Sequence, residues 1–309
     1  MSVIQVQNLN KSYNNLQALT EISFELYKGE IFGIIGPDGA GKSTLFNILA
    51  TLLAPNSGYV SILGMDLNKD YKKIRKEIGY LPGTFSLYPD LTVLENLKFF
   101  AAMYQSGIKE NLAMIMPIWR QLIPFKNRLA GKLSGGMKQK LALCCALVHK
   151  PHILLLDEPT TGVDPVSRRE FWELLAQIKS YGISVLVSTP YMDEVTRCDR
   201  IALLEKGRFI VIDTPSQIIK DYEGKLYALK TDELFHLLEL LDQYGENCSF
   251  YPYGEYLHIS FYQDVGQAVD RFKNFLNQNQ ISYNSFQEIT PILEDCFIEL
   301  IKKSRDVYH

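Results

Sequence analysis

From Ile31 onward the chain alternates short, unbroken apolar runs with stretches of helical periodicity. "IFGII" (Ile31–Ile35) precedes a glycine-rich turn, "HILLLD" (152–157) follows a long helical region, and "ISVLVS" (183–188) follows "SRREFWELLAQIKSYG". Runs this short and this apolar fit strands buried on both faces, and their alternation with helices predicts βαβ units and a parallel sheet. "SVIQVQNLNKSY" (Ser2–Tyr13) alternates apolar and polar positions and reads as a half-buried strand. Residues 91–107 read as a helix opened by a capping box, Thr92 with Glu95, and the aromatic and methionine side chains of "NLKFFAAMY" read as core. The pattern breaks at "DYEGK" (221–225) and changes character afterwards. "KLYALK" predicts a strand, "DELFHLLELLDQY" a helix, "CSFYPYGEYLHISF" a hairpin turning at Pro252 to Gly254, and "VGQAVDRFKNFLNQ" a second helix. The expectation is an α/β domain over residues 1–222 and a small α+β domain over 223–309.

At 309 residues, 47% hydrophobic and 22% charged, the chain can bury a sizeable core in one or two domains. A net charge of -3 advertises neither a nucleic-acid nor an anionic-membrane partner, and no nucleic acid is expected. The aromatics from Phe250 to Tyr262 carry no interleaved lysine or arginine, so they read as hairpin packing and not as a base-stacking platform. Five cysteines form no C-x-x-C, although Cys144 and Cys145 are adjacent, which points to a reduced, cytoplasmic chain with buried thiols. The opening residues lack a signal-peptide layout, and no run approaches the roughly 18 apolar residues of a membrane span. Any membrane-spanning part is therefore expected on another chain.

The chemistry concentrates in "GPDGAGKST", which satisfies G-x-x-x-x-G-K-[ST] between a strand and a helix. Gly36, Pro37, Asp38, Gly39, Ala40, Gly41, Lys42, Ser43 and Thr44 are thus candidates to bind ATP. The glycines let successive N–H groups converge on phosphate at a helix N-terminus. Lys42 would reach the β- and γ-phosphates, and the Ser43 hydroxyl would meet Mg²⁺. "HILLLDEPTTGVD" delivers Asp157 and Glu158 at the end of a buried strand. Asp157 is the candidate to hold Mg²⁺ through water, and Glu158 the candidate catalytic residue that orients or deprotonates water.

"LSGGMKQKLALCCAL" (133–147), just ahead of "ILLLDEP", resembles the signature segment of the ATP-binding cassette (ABC) family. The likeness spans about residues 3–224, and Met137 stands where the family often has glutamine. The resemblance implies a P-loop NTPase cassette with a helical subdomain over about residues 85–150, using ATP and Mg²⁺. It implies a head-to-tail dimer with a second cassette, in which Leu133, Ser134, Gly135 and Gly136 close over the partner's nucleotide. It also implies Tyr13 stacked on adenine and Asp164 at the dimer seam. "YMDEVTRCDRI" and "ITPILEDCFIELI" look like exporter-type cassettes. Such a chain would be an ATP hydrolase that works with integral-membrane permease subunits, cytoplasmic and peripheral at the inner face of the membrane. A soluble cassette ATPase of translation or DNA repair, and a non-catalytic ATP-binding and gating module, stay open as alternatives.

Two positions depart from the family pattern. After "IGYLP" the family usually has a glutamine that touches Mg²⁺ and the attacking water, and here Gly83 stands. At the end of "VLVST" it usually has a histidine on the γ-phosphate, and here Pro190 stands. A hydrogen bond to a charged group is worth roughly 1.5–3 kcal/mol, so each loss could cost about 10- to 100-fold in rate. The expectation is a site that binds MgATP well and turns it over slowly, paired with a better-equipped second cassette.

Overall fold

The computed structural model describes residues 1–84, 86–107, 112–241, 244 and 248–307. They divide into two compact units, Met1–Pro215 and Ser216–His309. In the first unit, β1 (Ser2–Tyr13) and β2 (Leu16–Tyr27) form a long antiparallel pair, followed by β3 (Ile31–Ile35) and α1 (Lys42–Leu49). Next come β4 (Ser57–Ile62), β5 (Met65–Asp66), α2 (Tyr71–Glu77) and β6 (Ile78–Leu81). Three helices then pack together: α3 (Val93–Met103), α4 (Leu112–Leu122) and α5 (Gly135–Leu147). The α/β alternation resumes with β7 (Ile153–Asp157), α6 (Pro165–Ser180), β8 (Ser184–Thr189), α7 (Met192–Val195), β9 (Arg200–Glu205) and β10 (Arg208–Asp213).

Two sheets result. The antiparallel sheet runs β2-β1-β4-β5, and the larger one β10-β9-β3-β8-β7-β6. In the larger sheet β9, β3, β8, β7 and β6 are mutually parallel, with β10 antiparallel at the edge. Every residue of β3, β7 and β8 is buried, including the polar Asp157 at the end of β7 and Ser184, Ser188 and Thr189 in β8, as strands covered on both faces require. Between the sheets, Ile4, Leu9, Phe24 and Leu26 pack with Phe32, Ile34, Phe46, Leu155 and Leu186 in one core. Helix α3 opens with the capping box read from the sequence: Thr92 Oγ1 accepts from the Glu95 N–H, and the Glu95 carboxylate accepts from the Thr92 N–H. Among the described residues, no helix is long and apolar enough to cross a membrane.

The second unit continues the numbering with α8 (Pro215–Lys220), which begins on the last residue of the first. It then has β11 (Lys225–Lys230), α9 (Leu234–Leu241), β12 (Cys248–Tyr253), β13 (Tyr256–Phe261), α10 (Val265–Gln278), β14 (Ser285–Ile289) and α11 (Leu293–Val307). Asp242 and Gln243, at the end of the helix expected over "DELFHLLELLDQY", lie outside the described residues. The sheet is fully antiparallel in the order β12-β13-β11-β14, a ferredoxin-like βαββαβ arrangement. One sheet face holds Leu229, Leu257, Ile259 and Phe261 against Leu237, Phe272 and Leu276 of α9 and α10.

The hairpin corrects the sequence reading. Tyr253 pairs with Tyr256, so the turn is Gly254 and Glu255, with Gly254 in the left-handed region at φ 59°. Pro252 lies inside β12, opposite Leu257. β12 is an edge strand, where a residue without an N–H is tolerated. The five cysteines form no disulfide; four are buried, but Cys248 is only half-buried.

Candidate functional site

The loops that carry the candidate chemistry follow parallel strands at their carboxyl ends, where open α/β sheets place their ligands. The phosphate loop follows β3, Gly83 lies just beyond β6, Asp157 ends β7 with Glu158 next in the chain, and Pro190 directly follows β8. A cavity of about 510 Å³ opens there, lined by Tyr13, Asp38, Gly39, Gly41, Lys42, Ser43, Thr44 and Glu158. Gly36, Pro37 and Ala40 shape the loop from behind and do not line the cavity. A Cβ on Gly36 would lie 2.2 Å from the Leu204 carbonyl oxygen, so no larger residue fits. Gly41 caps α1 with φ 109° and also packs against backbone, a conformation that favours glycine.

Lys42 is 4% exposed. Its ammonium donates to the carbonyls of Gly36 (2.8 Å) and Pro37 (3.0 Å) and lies 3.1 Å from Glu158 Oε1. Glu158 has a left-handed backbone at φ 48°, and its Oε2 accepts from Thr161 at 3.2 Å. Glu158 is therefore not a helix cap. Asp157 accepts from Ser188 Oγ at 2.7 Å and from the Ser43 hydroxyl. Burial raises its pKa above the ordinary carboxylate value, against the pull of those two hydroxyls. Ser43 and Asp157 thus bring two hard oxygens together. That suits Mg²⁺, which keeps several waters and takes substrate phosphates as its other ligands. No cluster of three or more His, Cys, Asp or Glu that could cage a metal occurs among the described residues.

The sequence reading missed several residues here. Ser188, taken only as part of a buried strand, donates to Asp157 and accepts from the Glu158 N–H at 2.9 Å, tying β8 to both acidic positions. Its signal was a polar residue in an apolar run. Gln17, Ala18, Lys206 and Gly207 also line the cavity. Lys206 follows β9, a parallel neighbour of β3, so its loop emerges at the same sheet edge. Glu194 is 3% exposed and its Oε2 accepts from both Thr160 (2.9 Å) and Thr189 (2.5 Å), which holds the segment carrying Pro190.

Gly83 faces Asp157. A Cβ there would lie 3.3 Å from the Asp157 carbonyl oxygen and 3.8 Å from its Oδ2, so a longer side chain would begin beside the carboxylate. Ser134 is the N-cap of α5, accepting from the Met137 N–H at 3.5 Å, and Leu133 is buried just before it. A Cβ on Gly136 would meet Ser167 of α6 at 2.7 Å, so small residues let α5 and α6 approach. Asp164 caps α6, accepting from the Ser167 N–H at 3.0 Å.

A family model described as "ABC transporter" matches residues 19–161. The linearmycin resistance ATP-binding protein LnrL of Bacillus subtilis is 36% identical over 229 residues, 72% of each chain. The chain belongs to the ABC transporter family. The residues matched by the family model lie within its first unit. The probable multidrug ABC transporter ATP-binding protein YbhF of Escherichia coli is 41% identical over 222 residues, 70% of this chain. That match spans only 38% of YbhF's length. A solved dimeric cassette, MJ0796, bound to ADP and Pi in a post-hydrolysis state, superposes with a TM-score of 0.62 at 29% identity, covering 68% of this chain and 98% of that one. As an ABC cassette, the chain is a member of an ATPase family.

Proposed function

We propose that this chain is the ATP-binding and ATP-hydrolysing subunit of an exporter, working with separate integral-membrane permease subunits and with a second cassette head-to-tail. The observation that carries the reading is the convergence of Lys42, Ser43, Asp157 and Glu158 at one sheet edge. Relatives named for multidrug transport, linearmycin resistance and Nod factor export support the transport class.

Tyr13, 44% exposed beside the cavity, offers its ring to adenine, and the loop from Gly36 to Thr44 takes the phosphates. Lys42 exchanges its loop carbonyls and Glu158 for phosphate oxygens, which releases the Glu158 carboxylate toward attacking water. Ser43 and Asp157 hold Mg²⁺, which when bound neutralises charge on the β- and γ-phosphates. Leu133 to Gly136 serve the partner's nucleotide, with Asp164 at the seam. Gly83 and Pro190 offer this site neither an amide nor an imidazole, which supports a slow site within an asymmetric pair. Affinity purification of the tagged chain from detergent-solubilised membranes tests the assignment. The expected outcome is a polytopic membrane protein in stoichiometric yield; recovery of the chain with soluble partners alone contradicts it.

A further inference from the structure

The left-handed backbone of Glu158, at φ 48°, is one that residues other than glycine seldom adopt. Strain of this kind persists only where the surroundings over-determine it. Within the loop, the Thr161 N–H donates to the Glu158 carbonyl and Thr161 Oγ1 to Glu158 Oε2, each at 3.2 Å. From β8, Ser188 Oγ accepts from the Glu158 N–H at 2.9 Å. A further anchor comes from α7: Thr160 Oγ1, two residues past Glu158, donates to Glu194 Oε2 at 2.9 Å.

Glu194 is 3% exposed and Thr160 1%, and neither lines the nucleotide cavity. Glu194 Oε2 also accepts from Thr189 Oγ1 at 2.5 Å. Arg168 of α6 balances the charge from a distance, its guanidinium 3.8 Å from Glu194 Oε1 and stacked on Tyr191 with 4.2 Å to the ring centre. Oε1 has no hydrogen-bond partner among the described residues. A buried carboxylate paired this loosely is poorly explained by stability, because an apolar side chain of similar size would fill the space without desolvating a charge. The carboxylate instead supplies one anionic oxygen that two loops share, and hydrogen bonds to an ionised acceptor are roughly twice as strong as neutral ones.

We infer that Glu194 is a positioning residue for Glu158. By anchoring Thr160 it keeps the Glu158 backbone in its left-handed conformation and the Glu158 carboxylate at the phosphate loop, beside Lys42. The inference rests on the role proposed above for Glu158.

The test measures single-turnover hydrolysis of γ-labelled ATP by the full-length chain carrying Thr160→Val, Thr160→Ser or Glu194→Ala, each with Glu158 intact and with Glu158→Gln, and ATP affinity alongside. With Glu158 intact, Thr160→Val and Glu194→Ala are expected to slow hydrolysis about tenfold or more at similar ATP affinity, and Thr160→Ser, which keeps the hydroxyl, to recover the rate. With Glu158→Gln in place, the same substitutions are expected to change the residual rate less than about twofold, because no carboxylate remains to be aimed. A merely structural contact would scale the rate equally in both backgrounds. Should Glu194→Ala fail to fold, Thr160→Val decides. A native rate in Thr160→Val, an equally slow Thr160→Ser, or equal proportional losses in both backgrounds overturns the inference and leaves the role of Glu158 standing. A native rate in Glu158→Gln alone removes that role, and the inference with it.

Discussion

Lys42 is buried with two backbone carbonyls and one carboxylate as partners, so its ammonium is held at the mouth of the phosphate loop. Lys42→Ala is expected to weaken ATP binding by about 10-fold or more, because one charge-assisted contact to the terminal phosphates is lost. A fluorescence titration with a nucleotide analogue, showing unchanged affinity, would remove Lys42 from the site. Asp157 gives a pH signature. Burial raises its pKa, so the folded chain holds this proton more tightly than the unfolded chain does. The resulting stability is fully present below the ordinary carboxylate value and is lost as pH rises through the raised value. At neutral pH the ionised carboxylate therefore works against the nucleotide-free fold. Asp157→Asn is expected to raise the Tm of the nucleotide-free protein at about pH 7 while weakening Mg-dependent ATP binding, and the Tm gap should close toward about pH 4. A gap that widens on acidification contradicts the assignment.

Helix α5 combines an N-cap serine with two glycines, and the second glycine meets α6. Gly136→Ala places a methyl 2.7 Å from Ser167, and overpacking of this kind costs about 1–3 kcal/mol. Urea unfolding that leaves the midpoint unchanged would show that α5 and α6 separate freely. The elements with strong local signals were legible in the sequence: "IFGII", "KLYALK" and "VGQAVDRFKNFLNQ" occupy the strand, strand and helix expected of them. The Thr92 capping box was equally legible, because it is a contact between near neighbours. Pro252 misled, since proline marks turns by propensity, yet edge position in the sheet decides here. Ser188, Glu194 and Lys206 were not legible as site residues. Their partners come from other strands and loops, and only the parallel sheet order brings those together.

The candidate nucleotide cleft lies wholly within Met1–Pro215, which has its own core, while Ser216–His309 has another. A chain ending at Pro215 is expected to fold and to keep its ATP affinity within about twofold; a folded truncation that no longer binds ATP contradicts that independence. On the proposed function, Lys42, Ser43, Asp157 and Glu158 suffice to hold MgATP, while Gly83 and Pro190 keep this site slow. Restoring both missing groups tests it most directly. The isolated chain and its Gly83→Gln/Pro190→His variant are compared for steady-state ATPase rate at saturating MgATP, with ATP affinity measured alongside. The native sequence is expected to turn over slowly, the variant about tenfold or more faster, and the two to bind ATP with similar affinity. A native rate equal to that of the variant would mean that this site is already fully competent, and the asymmetric reading fails.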